Sequence, residues 1–393
     1  MARLIDCRVG PSSIVDVLPV RVARDGDDYV VGRHGARSYL ALTPIALEAT
    51  TLLGEQLPVG RVKELLAAKY GVATVELAPL LQQLLSAGLV RAIDGRPIQR
   101  GARPDPPRRT LLTRERVAPL FGKTALVTYT IIVAGGLAAL LEPRAWPRLG
   151  LLIAERSYGM LLLAVCLVAA IAAKHEFAHI AAGKFLGVDA RWRLSHRLMF
   201  PVVETDLSDL WMVERRKRYV AYCAGVFSDL LAASLALMGT WAHVHGWIAL
   251  PASVYRALEL TVLLVAAGAI WQCNVFLRTD GYYVLVNALG SRNLAGDAKA
   301  YLRTRSAAFP RSVRLYAIGY VITVVVICGL WVFGVTAGLR AAWAGAAGTG
   351  AKLAVMAVVL LIAIAAERRR RSAQYRLVCP AGLSLLFALW GMA

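Results

Sequence analysis

The chain has 393 residues, of which 58% are hydrophobic and only 18% are charged. A soluble protein has about 25% charged residues and lacks the interior volume for so much apolar side chain, so composition excludes a wholly soluble protein. The 45 Lys and Arg against 25 Asp and Glu give a net charge of +20. In a membrane protein this excess gathers in cytoplasmic loops, so nucleic acid is not needed to explain it.

The cysteines and the N-terminus argue against three further features. The six cysteines are widely scattered, which argues against both a disulfide framework and a cysteine zinc site. The first thirteen residues contain no apolar segment, so no cleaved signal peptide is expected.

Residues 1–98 have the balanced composition of a small soluble α+β domain. The expected elements, in chain order, are strands over 29–33 and 37–42, helices over 44–53, 59–70 and 74–87, and a strand with a turn over 89–95. This order is typical of a winged-helix-like domain. Residues 99–116 combine prolines with several arginines and are expected to form a basic linker.

Residues 117–393 are expected to form an all-α membrane domain, a polytopic bundle of six transmembrane helices. The apolar stretches are 124–141, 158–173, 219–242, 260–277, 315–339 and 353–366. Residues 377–393 are short and either span the membrane as a seventh helix or form a re-entrant segment. Asp229, the one charge within 219–242, is expected to face the bundle interior, with a structural hydrogen bond favoured over a catalytic role.

The loops between these stretches predict the orientation of the protein. Lys and Arg gather in 100–123, 184–218, 278–314 and 368–376, whereas the alternate loops carry few. Because positive charge marks the cytoplasmic side, the basic loops and the N-terminal domain are expected to be cytoplasmic.

A metal-binding motif lies within the second apolar stretch and its continuation. His175, Glu176 and His179 form a His-Glu-x-x-His sequence on an expected helix. Residues four apart share one helical face, so both imidazoles can reach a single zinc ion, with Glu176 beside it as general base. The less favoured interpretation is a pair of satisfied core histidines with a paired glutamate.

Two histidines leave a zinc site short of a third protein ligand. Asp280 is the best candidate, because topology places it at the same membrane face as the motif. His196 lies in the loop after the motif, while His34 lies in the soluble domain and His243 and His245 on the outer side.

Residues 155–290 resemble the site-2-protease family of intramembrane zinc metallopeptidases, in its bacterial branch. The resemblance rests on HEFAHIAAGKFLGV at 175–188 and NVFLRTDGYYVL at 274–285. It implies zinc ligands His175, His179 and Asp280, Glu176 as catalytic base, and a bacterial inner membrane location. It also implies that Asn274 helps to hold the substrate backbone, although Val275 stands where the family has proline.

Residues 25–95 resemble the PqqD-like peptide-recognition modules of ribosomal-peptide maturation systems. The similarity lies in the pattern of apolar positions and turns, from Tyr29 to Gly95. Such modules hold a leader peptide as an added strand beside a helix. The alternatives are a winged helix that binds DNA, disfavoured because 74–87 has no Arg or Lys, or a domain that docks on its own membrane part.

Together the two resemblances imply a zinc metalloendopeptidase that cleaves the leader of a ribosomally synthesised precursor peptide. One alternative is cleavage of a membrane-anchored regulator of the anti-sigma type. Another is a non-enzymatic peptide export or immunity protein. The expected partners are a peptide or membrane-protein substrate and the lipid bilayer, not nucleic acid; a homo-oligomer is left open.

Overall fold

The structure is a computed structural model that describes residues 9–33, 38–73, 75–98, 112–148, 158–197 and 200–344. It divides into two compact units, with the boundary between Arg292 and Asn293. The first unit holds a β-rich N-terminal region and three of the four long apolar helices. The second unit holds the helices that follow residue 293.

The N-terminal region consists of short strands and three helices. In chain order these are β1 (Val15–Val17), β2 (Arg21–Asp25), β3 (Asp28–Gly32), β4 (Tyr39–Leu42), α1 (Pro44–Gly54), α2 (Val59–Tyr70), α3 (Ala78–Ser86), β5 (Val90–Ile93) and β6 (Arg96–Pro97). The strands form two antiparallel sheets with the orders β1-β5-β6 and β2-β3-β4. The sequence patterns anticipate the three helices but not β1 and β2.

This region has its own apolar core, to which both sheets and all three helices contribute. Its fully buried members include Val15, Val31, Leu53, Leu66 and Leu84. Helix α1 begins as its sequence predicts, since the Thr43 side chain accepts a hydrogen bond from the N–H of Ala46 at 3.3 Å. Pro44 follows at the first helical position, where a missing N–H costs nothing.

The β2–β3 hairpin extends from this region to the membrane part of the same unit. Asp25 pairs with Asp28 across a two-residue turn, in which Gly26 adopts a φ of 71° that favours glycine. The Asp25 carboxylate lies 3.0 Å from the guanidinium of Arg218, whose side chain is only 1% exposed. Arg218 also donates to the carbonyl oxygens of Val213 and Trp211, at 2.8 and 3.2 Å.

A second contact lies beside the hairpin. The hydroxyl of Tyr39, on β4, donates a hydrogen bond to the buried Asp209. Burial raises the pKa of Tyr39 far above its ordinary value, and the Asp209 carboxylate raises it further, so the hydroxyl keeps its proton. The N-terminal region therefore docks on its own membrane part, an arrangement that the sequence left open, beside DNA binding, as an alternative to peptide recognition.

The rest of the chain is mostly helical. Its elements are α4 (Arg114–Val117), α5 (Lys123–Ala139), α6 (Tyr158–Phe185), β7 (Arg191–Arg197), β8 (Phe200–Asp206), α7 (Arg215–Tyr222), α8 (Ala224–Val244), α9 (Ala252–Gln272), α10 (Asp280–Leu289), α11 (Leu294–Thr304) and α12 (Arg311–Ala344). Strands β7 and β8 pair as an antiparallel hairpin within a stretch expected to be a cytoplasmic loop.

Four helices among the described residues are long and apolar enough to cross a membrane: α6, α8, α9 and the stretch Arg311–Leu330 of α12. The segment from α4 through α5 is bent by 48° and would make a fifth. The apolar stretches 353–366 and 377–393 lie outside the described residues, so the expectation of six or seven spans stays a prediction.

Two span boundaries differ from those predicted. The stretch 260–277 is helical only to Gln272, and its span begins earlier, at Ala252. The stretch 219–242 is interrupted at Cys223, where α7 ends and α8 begins. The earlier start of α9 brings Arg256 and Glu259 into the helix, and a search for charge-free stretches leaves these residues out.

Helix α8 lies at the centre of the bundle and packs against α5, α6 and α9. It approaches α5 closely at Gly136, where a Cβ would lie 2.5 Å from the Cβ of Ser234. Small residues at such crossings let membrane helices pack tightly. By contrast, Leu161 and Val165 of α6 are 63% and 58% exposed, as expected for side chains that face lipid.

The buried Asp25–Arg218 pair predicts a specific loss of stability. Asp25→Ala leaves the Arg218 charge buried, and breaking such a pair costs about 3–5 kcal/mol. We expect the lower part of this range, because Arg218 keeps two carbonyl acceptors. Thermal unfolding of the full chain in detergent should show a lower midpoint for Asp25→Ala than for Asp27→Ala, whose carboxylate is exposed on the same turn. Equal midpoints would contradict the prediction.

Candidate metal centre

Helix α6 carries the two histidines of the motif at buried positions. His175 and His179 are 5% and 4% exposed, whereas Phe177 between them is 41% exposed. Four residues make slightly more than one helical turn, so both imidazoles lie on the same side of α6. Their Nε2 atoms are 3.2 Å apart.

Asp280 reaches the two histidines through the irregular segment that follows α9. The helix ends at Gln272, and α10 starts at Asp280 itself. Between them, the fully buried Thr279 donates from Oγ1 to the carbonyl oxygen of Asn274 at 2.7 Å. The Gln272 side chain accepts a hydrogen bond from the N–H of Asp280 at 3.1 Å, which fixes the start of α10 against the end of α9.

The three side chains form a nearly equilateral triangle of ligand atoms. Oδ2 of Asp280 lies 3.1 Å from Nε2 of His175 and 3.2 Å from Nε2 of His179. A tetrahedral zinc ion with bonds of about 2.0–2.1 Å needs ligand atoms about 3.3 Å apart. Among the described residues, His175, His179 and Asp280 form the group of histidine and carboxylate side chains that can hold a metal ion.

The hydrogen bonds of the imidazoles direct three lone pairs at one point. Nδ1 of His179 lies 2.7 Å from the carbonyl oxygen of Ala221, which can only accept, so this Nδ1 carries a proton. Nδ1 of His175 lies 2.7 Å from Oδ2 of Asp229. In the neutral rings both Nε2 atoms are then bare, and they face the buried Oδ2 of Asp280, which accepts no hydrogen bond from a described residue. A cation between them removes this repulsion.

Gly225, near the start of α8, borders the same point. An ideal Cβ on this residue would overlap Nε2 of both His175 and His179, and would lie 2.6 Å from Cε1 of His175. The absence of a side chain leaves room beside the ligand atoms. The donor set, the spacing and this space together fit a metal ion.

Glu176 is held by the β7–β8 hairpin. Its Oε2 accepts a hydrogen bond of 2.7 Å from Oγ1 of Thr205, on β8. The same Oγ1 lies 3.1 Å from the backbone oxygen of Glu176. Thr205 therefore fixes the carboxylate of the motif, a contact that no sequence pattern indicates.

The side chain of Asn274 makes a local turn. Its Oδ1 accepts from the N–H of Phe276 at 3.2 Å. The side chain next to the metal ligands is that of Gln272, whose Nε2 lies 3.3 Å from Nε2 of His175. The substrate role of Asn274 stays a prediction, and Gln272 is a site residue that sequence analysis missed.

The other histidines considered as ligands fall elsewhere or outside the described residues. His243 and His245 lie at the opposite end of α8 from Gly225, about 27–30 Å along the helix at 1.5 Å per residue. His196 lies on β7, opposite Pro201. His34 is outside the described residues.

The chain was compared with protein-family models, with curated proteins and with solved structures, and none of them matches it.

The space at Gly225 can be tested by filling it. Gly225→Ala places a methyl group against both Nε2 atoms, so we expect most of the bound metal to be lost from purified full-length protein. The matched control is Gly268→Ala in α9, where a Cβ meets nothing within 4 Å. Metal analysis should find wild-type content in the control. Wild-type content in Gly225→Ala would show that the ion does not lie between these imidazoles.

Proposed function

We propose that this protein is a zinc metalloendopeptidase of the membrane, with His175, His179 and Asp280 as zinc ligands and Glu176 as general base. The observation that carries the proposal is the convergence of three buried ligand atoms within 3.2 Å of one another. A glutamate directly follows the first ligand in sequence, as general-base catalysis requires. A purely structural metal site has no need of that carboxylate.

The residues around the centre have distinct roles in peptide hydrolysis. When bound, zinc supplies Lewis acidity to the scissile carbonyl and to the attacking water. Glu176 takes a proton from that water and returns it to the leaving amine. Thr205 holds Oε2 of Glu176 and so fixes the orientation of the carboxylate that would take the proton.

We further propose that the substrate is a ribosomally made precursor peptide, held by the N-terminal region while the metal centre cuts it. Strand β2 lies at one edge of the β2-β3-β4 sheet as far as the described residues extend. Its Val22 is 48% exposed. An extended peptide can add to such an edge through main-chain hydrogen bonds. The docking contacts at Asp25 and Tyr39 would keep the held peptide at a fixed distance from the centre.

The same contacts support a cytoplasmic N-terminal region, and the bacterial inner membrane is proposed on the family resemblance alone. The hairpin pairs with Arg218 of α7, which lies in a loop rich in arginine and lysine. Positive loops mark the cytoplasmic face. The metal ligands lie next to this loop in the fold, since the carbonyl oxygen of Ala221 binds His179.

Glu176→Gln tests the peptidase function. The amide keeps the shape of the side chain but cannot accept a proton near neutral pH. Zinc content should stay close to wild type because no ligand changes. Cleavage of precursor peptides encoded beside the gene, measured in proteoliposomes, should fall at least about a hundredfold.

The matched control for this experiment is Glu214→Gln, which alters an exposed carboxylate that pairs with Lys217. It should cleave at the wild-type rate. Equal cleavage by the wild type and by Glu176→Gln would rule out the proposed mechanism.

A further inference from the structure

A buried charged network lies behind one of the two histidines. Asp229, on α8, is only 7% exposed. Its Oδ2 lies 2.7 Å from Nδ1 of His175, and its Oδ1 lies 2.6 Å from Nζ of Lys174. Nζ of Lys174 also lies 2.9 Å from Oγ of Ser228.

The free-energy cost of burying a charge in a membrane span indicates that the Asp229 carboxylate does more than join two helices. A charged side chain within a membrane span is costly, and a serine or an asparagine makes an interhelical hydrogen bond at lower cost. The Asp229 carboxylate uses its two oxygens for different partners, one a cation and the other an imidazole whose far nitrogen faces Asp280. A carboxylate placed in this way can orient the imidazole of His175.

We propose that Asp229 is the positioning residue of the metal ligand His175, and that Lys174 holds Asp229 in place. The carboxylate accepts a hydrogen bond from Nδ1–H of His175. This bond keeps the proton on Nδ1 and leaves the Nε2 lone pair free to bind the metal. It also fixes the ring orientation and makes Nε2 a stronger donor. Lys174 balances the carboxylate charge, so the network adds no net charge to the bundle.

The second histidine is oriented differently. Nδ1 of His179 donates to a neutral backbone oxygen, that of Ala221. A carboxylate supports a metal-bound imidazole more strongly than a carbonyl group does, so His175 should be the more basic of the two ligands. The two imidazole ligands therefore differ in basicity. Only His175 has a side chain as its partner, so a substitution of Asp229 can remove this difference, whereas the backbone partner of His179 cannot be substituted.

The inference rests on the proposed metal site but not on peptidase activity, so it is tested by metal binding. Zn²⁺ affinity of the full-length protein is measured by competition with a chromophoric chelator. We expect Asp229→Ala to weaken it about 10- to 100-fold. Asp229→Asn should weaken it less, because the amide oxygen still accepts from Nδ1. Both variants should shift the d–d absorption bands of Co²⁺-loaded protein.

Ser234→Ala is the matched control, since Ser234 is 3% exposed on the same helix and packs against Gly136. It should keep wild-type affinity and spectrum. If Asp229→Ala does not fold, the nearly isosteric Asp229→Asn gives the result. Wild-type affinity and spectrum in Asp229→Asn, or an equal loss in Ser234→Ala, would overturn the inference and leave the metal site standing. A wild-type protein that binds no zinc would overturn both.

Discussion

The repulsion among three buried lone pairs is the constraint on which the rest of this structure depends. Nε2 of His175, Nε2 of His179 and Oδ2 of Asp280 lie within 3.2 Å of one another, and each is held there by separate contacts. Helix α6 supplies two of them, and the first residue of α10 supplies the third. Such a group is stable when a cation compensates it, so metal binding and the packing of these helices are linked.

The elements around the centre have this constraint in common. Helix α8 approaches the imidazoles with Gly225, whose missing side chain leaves space beside both Nε2 atoms. One turn further, Asp229 binds the back of His175. Helix α7, which precedes α8, offers the carbonyl oxygen of Ala221 to His179. Asp229 and Ala221 thus fix the tautomers of the two imidazoles, and Gln272 fixes the position of Asp280.

The N-terminal region is connected to the centre by one short part of the chain. Asp209 binds Tyr39, and Arg218 binds Asp25. Both docking residues lie between β8 and Gly225. Strand β8 holds Glu176 through Thr205, and Gly225 borders the metal ligands. In the function we propose, the N-terminal region and its bound peptide are therefore docked on the same stretch, residues 205–221, that orients the general base and one ligand.

The sequence predicts the parts of the centre that depend on local periodicity. The pairing of His175 with His179 follows from helical spacing, and the proximity of Asp280 follows from the order of the apolar stretches. Gly225 and Gln272 could not be predicted, because they become important only where helices distant in sequence meet. Asp229 gave one signal, a single charge in an apolar stretch, but its partners depend on how α6 and α8 cross.

X-ray absorption at the zinc edge of the full-length, zinc-loaded protein tests the central claim most directly. We predict two imidazole nitrogens at about 2.0–2.1 Å and oxygen ligands at about 2.0–2.2 Å, with no sulfur. Asp280→Ala should lose one oxygen ligand or most of the zinc. A sulfur ligand at about 2.3 Å, or fewer than two imidazoles, would contradict the account.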